Sequence, residues 1–214
     1  MQRLRIRFSR GEELKFISHL DIMRLWQRAL HRVGIPLAYT EGFSPHPRIS
    51  LAAHLAVGVT SQAELMDTFC TKWVSPHFFT TAVSQQLPPG IEILQVYSVA
   101  PTMPSLQSQV GYAEYEVKVE TEKDKPSIES ALASMLSKKQ LPWHHERDTG
   151  TRNYDLRALI DDLWVTSWHR GYSSIGMRLR CDSGGSGRPE QVAAALGFGH
   201  PVSIHRTKLV LKTS

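Results

Sequence analysis

The order in which two hydrophobic periods alternate along this chain constrains its fold more than any single motif does. "LRIRFS" sets Leu4, Ile6 and Phe8 against Arg3, Arg5 and Arg7, the two-residue period of a strand with one buried face. "FISHLDIMRLWQRALHRVGIP" then switches to helical spacing. Ser18 is placed to cap the following amides, Asp21 sits near the positive end of the helix dipole, and Gly34 with Pro36 ends the run. Leu20, Met23, Trp26, Leu30 and Val33 form its expected core stripe, which leaves Arg24, Arg28 and His31 on a neighbouring, exposed face. Extended segments follow at "PLAYT", "RISLAAHLAVGV" and "ELMDTFCTKWV", then a short helix at "PHFFTTAVSQQL" and a strand at "IEILQVYSV". With the extended segments around residues 41–50 merged, the order is strand, helix, two strands, helix, strand, which is that of a ferredoxin-like sandwich.

The same order returns in the second half. "AEYEVKVE" reads as a strand, "SIESALASMLSKK" as a helix, and "YDLRALIDDLWVTSW" and "GMRLRC" as extended segments. "RPEQVAAALGFG" is a helix with Pro189 near its first turn and Gly197 beyond its end, and "VSIHRTKLVLK" closes as a strand. Leu156, Leu159, Ile160 and Leu163 also suit an amphipathic helix, so only the topology selects strand there. The prolines and small polar residues of "APTMPSLQSQV" have the composition of a linker. The expectation is therefore a duplicated ferredoxin-like α+β protein: two βαββαβ units at 1–100 and 112–214, joined by a linker at 101–111. Its 214 residues are enough for two cores of about 100 residues each.

Charge adds a functional constraint. The chain carries a formal +5, and its first 48 residues hold nine Lys or Arg against four Asp or Glu. A basic excess at one end favours anions, whether nucleic acid or a phosphorylated ligand. The two cysteines, Cys70 and Cys181, are too few for an iron–sulfur cluster and read as buried apolar residues in a reduced compartment. "MQRLRIRFSR" contains no apolar leader-like run, and no later run approaches the roughly 20 apolar residues of a membrane span. A soluble cytoplasmic protein is expected.

The candidate site begins at "EGFSPHPRIS", residues 41–50. Pro45 and Pro47 push Ser44 and His46 toward extended backbone, Gly42 permits a positive φ, and the chain so stiffened presents Ser44, His46 and Arg48 at a low entropy cost. "SHLD" supplies the partner feature, with His19 in the first turn of the helix where an anion is favoured. If the helix start approaches the connector, His19 and His46 flank one pocket. Arg3, Arg5 and Arg7, Arg24 and Arg28, and Arg178 with Arg180 extend a surface for a phosphate backbone, and Arg206 with Lys208 in "HRTKL" are second-tier contacts.

Other motifs exclude more than they propose. "DSGGSGRPEQ" has glycines before a helix but neither GxxxxGK[ST] nor GxGxxG, which removes support for nucleotide hydrolysis and dinucleotide binding. "WHHER" sets His144, His145 and Glu146 in succession, and neighbours on a strand point oppositely, which disfavours a shared metal. GxSxG and HExxH are absent. His19 and His46 are the candidates for acid–base work if the chain is catalytic.

The block "KFISHLDIMRLWQRALHRVGIPLAYTEGFSPHPRISLAAHLAVGV", above all "ISHLD" and "GFSPHPRIS", resembles the bacterial radical-SAM-linked domain family of unknown function, and "HRTKL" is similar to its closing strand. The chain departs from that family at Ser44, where asparagine is common, and at "AAHLAVGV", where a proline-rich apolar stretch is common. A looser similarity is to CRISPR repeat-processing endoribonucleases, which pair ferredoxin-like units and can carry a histidine near the first helix; their characteristic glycine-rich loop is not evident here. The first resemblance implies an accessory protein that binds structured RNA, tRNA or rRNA, and assists a radical SAM partner. The iron–sulfur cluster and S-adenosylmethionine are then expected on that partner and no cofactor in this chain. The alternatives are a metal-independent endoribonuclease using His19 or His46, and a scaffold whose arginines meet an acidic protein.

Overall fold

Leu4, Ile6 and Phe8 are buried on one side of the first strand, β1 (Gln2–Arg10), and around them the first unit is built. The computed structural model describes residues 1–147 and 150–212, without the side chains of 145–147 and 151–152. It divides into a unit of residues 1–110 with 211–214 and a second unit of residues 111–210.

In the first unit, β1 is followed by α1 (His19–Arg32), β2 (Ile49–Leu51), β3 (Thr60–Cys70), α2 (Pro76–Ser84) and β4 (Ile91–Val99). β1 pairs antiparallel with β3 on one side and β4 on the other, and β2 pairs with β3. The order β4-β1-β3-β2 is that of a ferredoxin-like sheet. Trp26 of α1, fully buried, meets Phe8 edge-on at 5.0 Å, and Phe79 and Val83 of α2 complete the layer. The buried stripe of α1 is Ile22, Trp26, Ala29 and Leu30, with Met23 and Val33 partly covered. Leu20 does not belong to it: at 66% exposure it faces outward, because the spacing that meets the sheet starts from Ile22.

The expected arginine ladder on β1 is corrected by the structure. Arg3 and Arg5 are buried on the other side of the sheet, and both grip the fully buried Asp67 of β3: Arg3 Nε and Arg5 Nε each donate at 2.8 Å to a different carboxylate oxygen. Arg3 also donates to the carbonyls of Met103 and Pro104 at 2.7 and 2.9 Å, and Arg5 to Gln109 at 3.3 Å. Residues of the expected linker thus cover this pair; Leu106, on a helical turn α3 (Leu106–Gln109), is fully buried. Only Arg7 remains exposed.

The second unit contains β5 (Val110–Thr121), α4 (Lys125–Ser137), a hairpin of β6 (Pro142–Arg147) and β7 (Gly150–Asp155), then β8 (Ile160–His169), β9 (Gly171–Asp182), β10 (Gly185–Ser186), α5 (Pro189–Ala195) and β11 (Ser203–Leu211). Its sheet runs β11-β5-β9-β8, the same order as the first, with β10 folding back on the end of β9. The fold is a duplicated ferredoxin-like one. "YDLRALIDDLW" resolves into the end of β7, a 3-10 turn at Arg157–Leu159 and the start of β8, which satisfies both of its periods in part. Gly176 of β9 makes room for the Trp164 ring: a Cβ there would lie 2.0 Å from it and force the ring to move. No helix among the described residues is long and apolar enough to cross a membrane.

Candidate nucleic-acid interface

The cationic face of α1 follows from its own sequence. Ser18 Oγ accepts from the Asp21 amide at 3.2 Å and donates to its carboxylate at 2.7 Å, which fixes where the helix starts. The hydroxyl of Ser18, and after it Arg24, hold the Asp21 carboxyl below its ordinary range. Once Trp26 and Leu30 face the sheet, Arg24, Arg28 and Arg32 fall on successive turns of one outward row. Arg24 reaches Asp21 at 3.2 Å. Among the described residues, neither Arg28 nor Arg32 has a carboxylate at salt-bridge distance.

Two grooves in the first unit share this row. One, of about 530 Å³, runs from Asp21 and Arg24 past Arg28 and Arg32 to Gln85 and Gln86, which follow α2. The other, of about 330 Å³, is bounded by Gln27, Arg28, His31 and Arg32 on the helix and by Leu37, Tyr39 and Pro47 on the connector. Arg28 and Arg32 line both. Sequence reasoning reached Arg24, Arg28 and His31 but missed Arg32, Tyr39 and the two glutamines; the i, i+4, i+8 recurrence of arginine was the available signal for Arg32.

The connector itself is a closed loop. Thr40 N donates to His46 O at 2.8 Å, Arg48 N to Ala38 O at 2.8 Å, and His46 N to Thr40 Oγ1 at 3.0 Å, while Gly42 takes φ +121°. Phe43, Ser44 and the His46 side chain are exposed, Phe43 completely. The Arg48 side chain lies against the fold, its guanidinium 4.2 Å from the Phe69 ring centroid and Nη1 3.4 Å from the Met1 sulfur.

His19 and His46 are not brought together. The connector lies beside the last turns of α1, through Tyr39 and Pro47, whereas His19 opens the first turn, and the 14 residues of the helix span about 20 Å. The ring stacked on His19 is that of His54, in the loop after β2, with centroids 5.0 Å apart. Burial lowers the His19 pKa below its ordinary 6.5, opposed by the charge of Glu64 and reinforced by Arg10. The folded state therefore prefers neutral His19. Its contribution is complete above about pH 6.5 and is lost as pH falls below that value. A thermal midpoint that declines below pH 6.5 in the wild type, with a shallower decline in His19→Gln, is the expected outcome; parallel curves would show that His19 is not the group responsible.

The remaining arginine candidates have partners within the fold. Arg178 donates to Glu114 at 2.8 Å and lies 3.6 Å from Asp161, and Arg180 donates to Asp182 at 2.9 Å. Arg206 is 1% exposed and packed over Tyr115, which corrects its reading as a surface contact, while Lys208 on the same strand is exposed. The glycines of "DSGGSG" close the β9–β10 hairpin, with the Gly184 amide donating to Asp182. His144 shares a hydrogen bond with Asn153; the side chains of His145 and Glu146 lie outside the described residues. Among the described residues no group of three His, Cys, Asp or Glu is placed to hold a metal ion. Cys70 is buried, which pushes its thiol up to about 11.

Comparison with known proteins adds a family and a fold. A family model described as an uncharacterized protein conserved in bacteria, DUF2344, matches residues 3–189. No curated protein matches the chain. Similar solved structures include a Cbf5-Nop10-Gar1 complex, at TM-score 0.53 and 10% identity over 96% of this chain and 48% of that one. Another is an H/ACA RNP bound to a substrate RNA containing 2'-deoxyuridine, at TM-score 0.49 and 11% identity over 96% and 47%. The chain thus spans about half the length of each of these two chains, and the likeness to the first is one of fold.

Proposed function

The chain belongs to DUF2344, the family of uncharacterized proteins conserved in bacteria, and from the surface of its first unit we propose that it binds RNA and serves as an accessory protein to a radical SAM enzyme that modifies that RNA. The observation that carries RNA binding is the row Arg24, Arg28, Arg32 laid between two grooves with only one carboxylate, Asp21, among their lining residues. Like charges four residues apart destabilise a helix by about 0.2–0.5 kcal/mol per pair, and a polyanion removes that repulsion. The helix dipole favours cations in the last turn, which accounts for part of the row. It accounts for neither the grooves nor the exposed Tyr39 that lines one of them. Ser44 and His46 stand on the same exposed connector, and Lys208 is an exposed contact on the second unit.

The accessory role rests on the resemblance of "ISHLD" and "GFSPHPRIS" to the radical-SAM-linked family. An iron–sulfur cluster is held by more cysteine thiolates than the two of this chain, so on this reading the cluster and S-adenosylmethionine belong to the partner.

The test is the salt dependence of binding to a labelled structured RNA such as bulk tRNA. Three arginine contacts should give a log–log slope of about −2 for single-stranded phosphates, at about −0.7 for each. A flat profile would remove RNA from the proposal. Affinity capture from a bacterial lysate, with a radical SAM protein recovered, tests the second part, and capture of RNA without such a protein would restrict the function to RNA binding alone.

A further inference from the structure

The two grooves are neighbours that share their charged wall, and this arrangement is more specific than a basic patch. Resting on the RNA-binding reading, we infer that they form two adjoining subsites for an unpaired step of RNA. The phosphate between two nucleotides sits on Arg28 and Arg32, one base stacks on Tyr39, and the next nucleotide lies toward Gln85 and Gln86.

Arg28 and Arg32 are the residues common to both cavities, so a single phosphate at the boundary is reached by two guanidiniums whose rigid forks match its oxygens. The connector groove has an apolar wall of Leu37, Tyr39 and Pro47 and a polar edge of Gln27 and His31. Tyr39 is half exposed although aromatic, and its backbone is pinned opposite Pro47, so the ring is a preformed stacking surface. At about 330 and 530 Å³ the grooves fall within the range of small-ligand clefts, roughly 300–1,000 Å³, and each suits one nucleotide. Among the described residues, Gln27, Gln85 and Gln86 make no side-chain hydrogen bond, which leaves amides that both donate and accept available to base edges. A duplex hides its base faces within the stack, so only unpaired nucleotides can use Tyr39.

Fluorescence anisotropy with a labelled ten-nucleotide RNA, its blunt duplex and a glutamate 20-mer tests this. The single strand is expected to bind about tenfold more tightly than the duplex. Tyr39→Ala should lose about tenfold on the single strand, the effect of one stacked base, and little on the duplex, with Tyr39→Phe restoring the affinity. Arg28→Ala should weaken both RNAs. Equal binding of strand and duplex, or a Tyr39→Ala variant that retains full single-strand affinity, would overturn the subsites and leave salt-sensitive RNA binding standing. Absence of binding to either RNA would overturn both the subsites and RNA binding itself. A glutamate peptide bound as tightly as the single strand, with loss on Arg28→Ala and none on Tyr39→Ala, would make the grooves a contact for an acidic protein instead.

Discussion

Asp67→Ala is expected to destabilise the first unit by about 3–5 kcal/mol, the range for removing one partner from a buried ion pair. Asp67 is fully buried, and its two oxygens neutralise both Arg3 and Arg5, themselves 2% and 3% exposed, so alanine would leave two buried guanidiniums uncompensated. Against a typical total of about 5–15 kcal/mol this is a large fraction. Arg3 also holds the carbonyls of Met103 and Pro104, so amide exchange along 101–110 should accelerate in the same variant. Urea unfolding measures the loss, and a change under about 1 kcal/mol would mean that the carboxylate is not what permits the two arginines to be buried. The triple change Arg3→Met, Arg5→Met and Asp67→Leu should recover most of the stability, because it removes the charges together with their counterion.

Reversing both Arg28 and Arg32 to glutamate is expected to weaken RNA binding by about 100-fold or more at low salt. Two charge-assisted contacts at about 1.5–3 kcal/mol each are lost, and 2.7 kcal/mol already corresponds to about 100-fold. The helix should persist, since the carboxylate introduced at position 28 would stand four residues from Arg24 and the stripe of Ile22, Trp26, Ala29 and Leu30 is untouched. Circular dichroism and a thermal midpoint confirm that separately. Arg178→Ala should leave RNA affinity within about twofold, because that guanidinium is committed to Glu114 and Asp161 and exposed ion pairs contribute little. A double reversal that binds RNA within about threefold of wild type would move the interface off α1.

The legible part of this protein was its local periodicity. Leu4, Ile6 and Phe8 against a helix of 3.6-residue spacing, repeated after residue 110, was enough to place the fold class. The β6–β7 hairpin was missed because "WHHER" and "GTRNYD" carry little hydrophobic alternation of their own. Leu20 was misassigned since a leucine at the edge of the stripe satisfies the same spacing as one inside it.

What the residues determined alone was most of the strands and helices, where α1 starts and ends, and that Arg24 and Arg28 face outward. These depend on neighbours within a few positions: a serine cap, a glycine stop, an apolar period. Only the tertiary structure decided that Arg3 and Arg5 are buried on Asp67, that Arg206 is packed on Tyr115, and that His19 meets His54 while the proline connector lies along the far turns of α1. The reason is directional. α1 is 14 residues long, so its first turn and the chain that leaves its last turn are a helix length apart, and a charge on a strand is solvated or buried according to what the rest of the chain lays over that face.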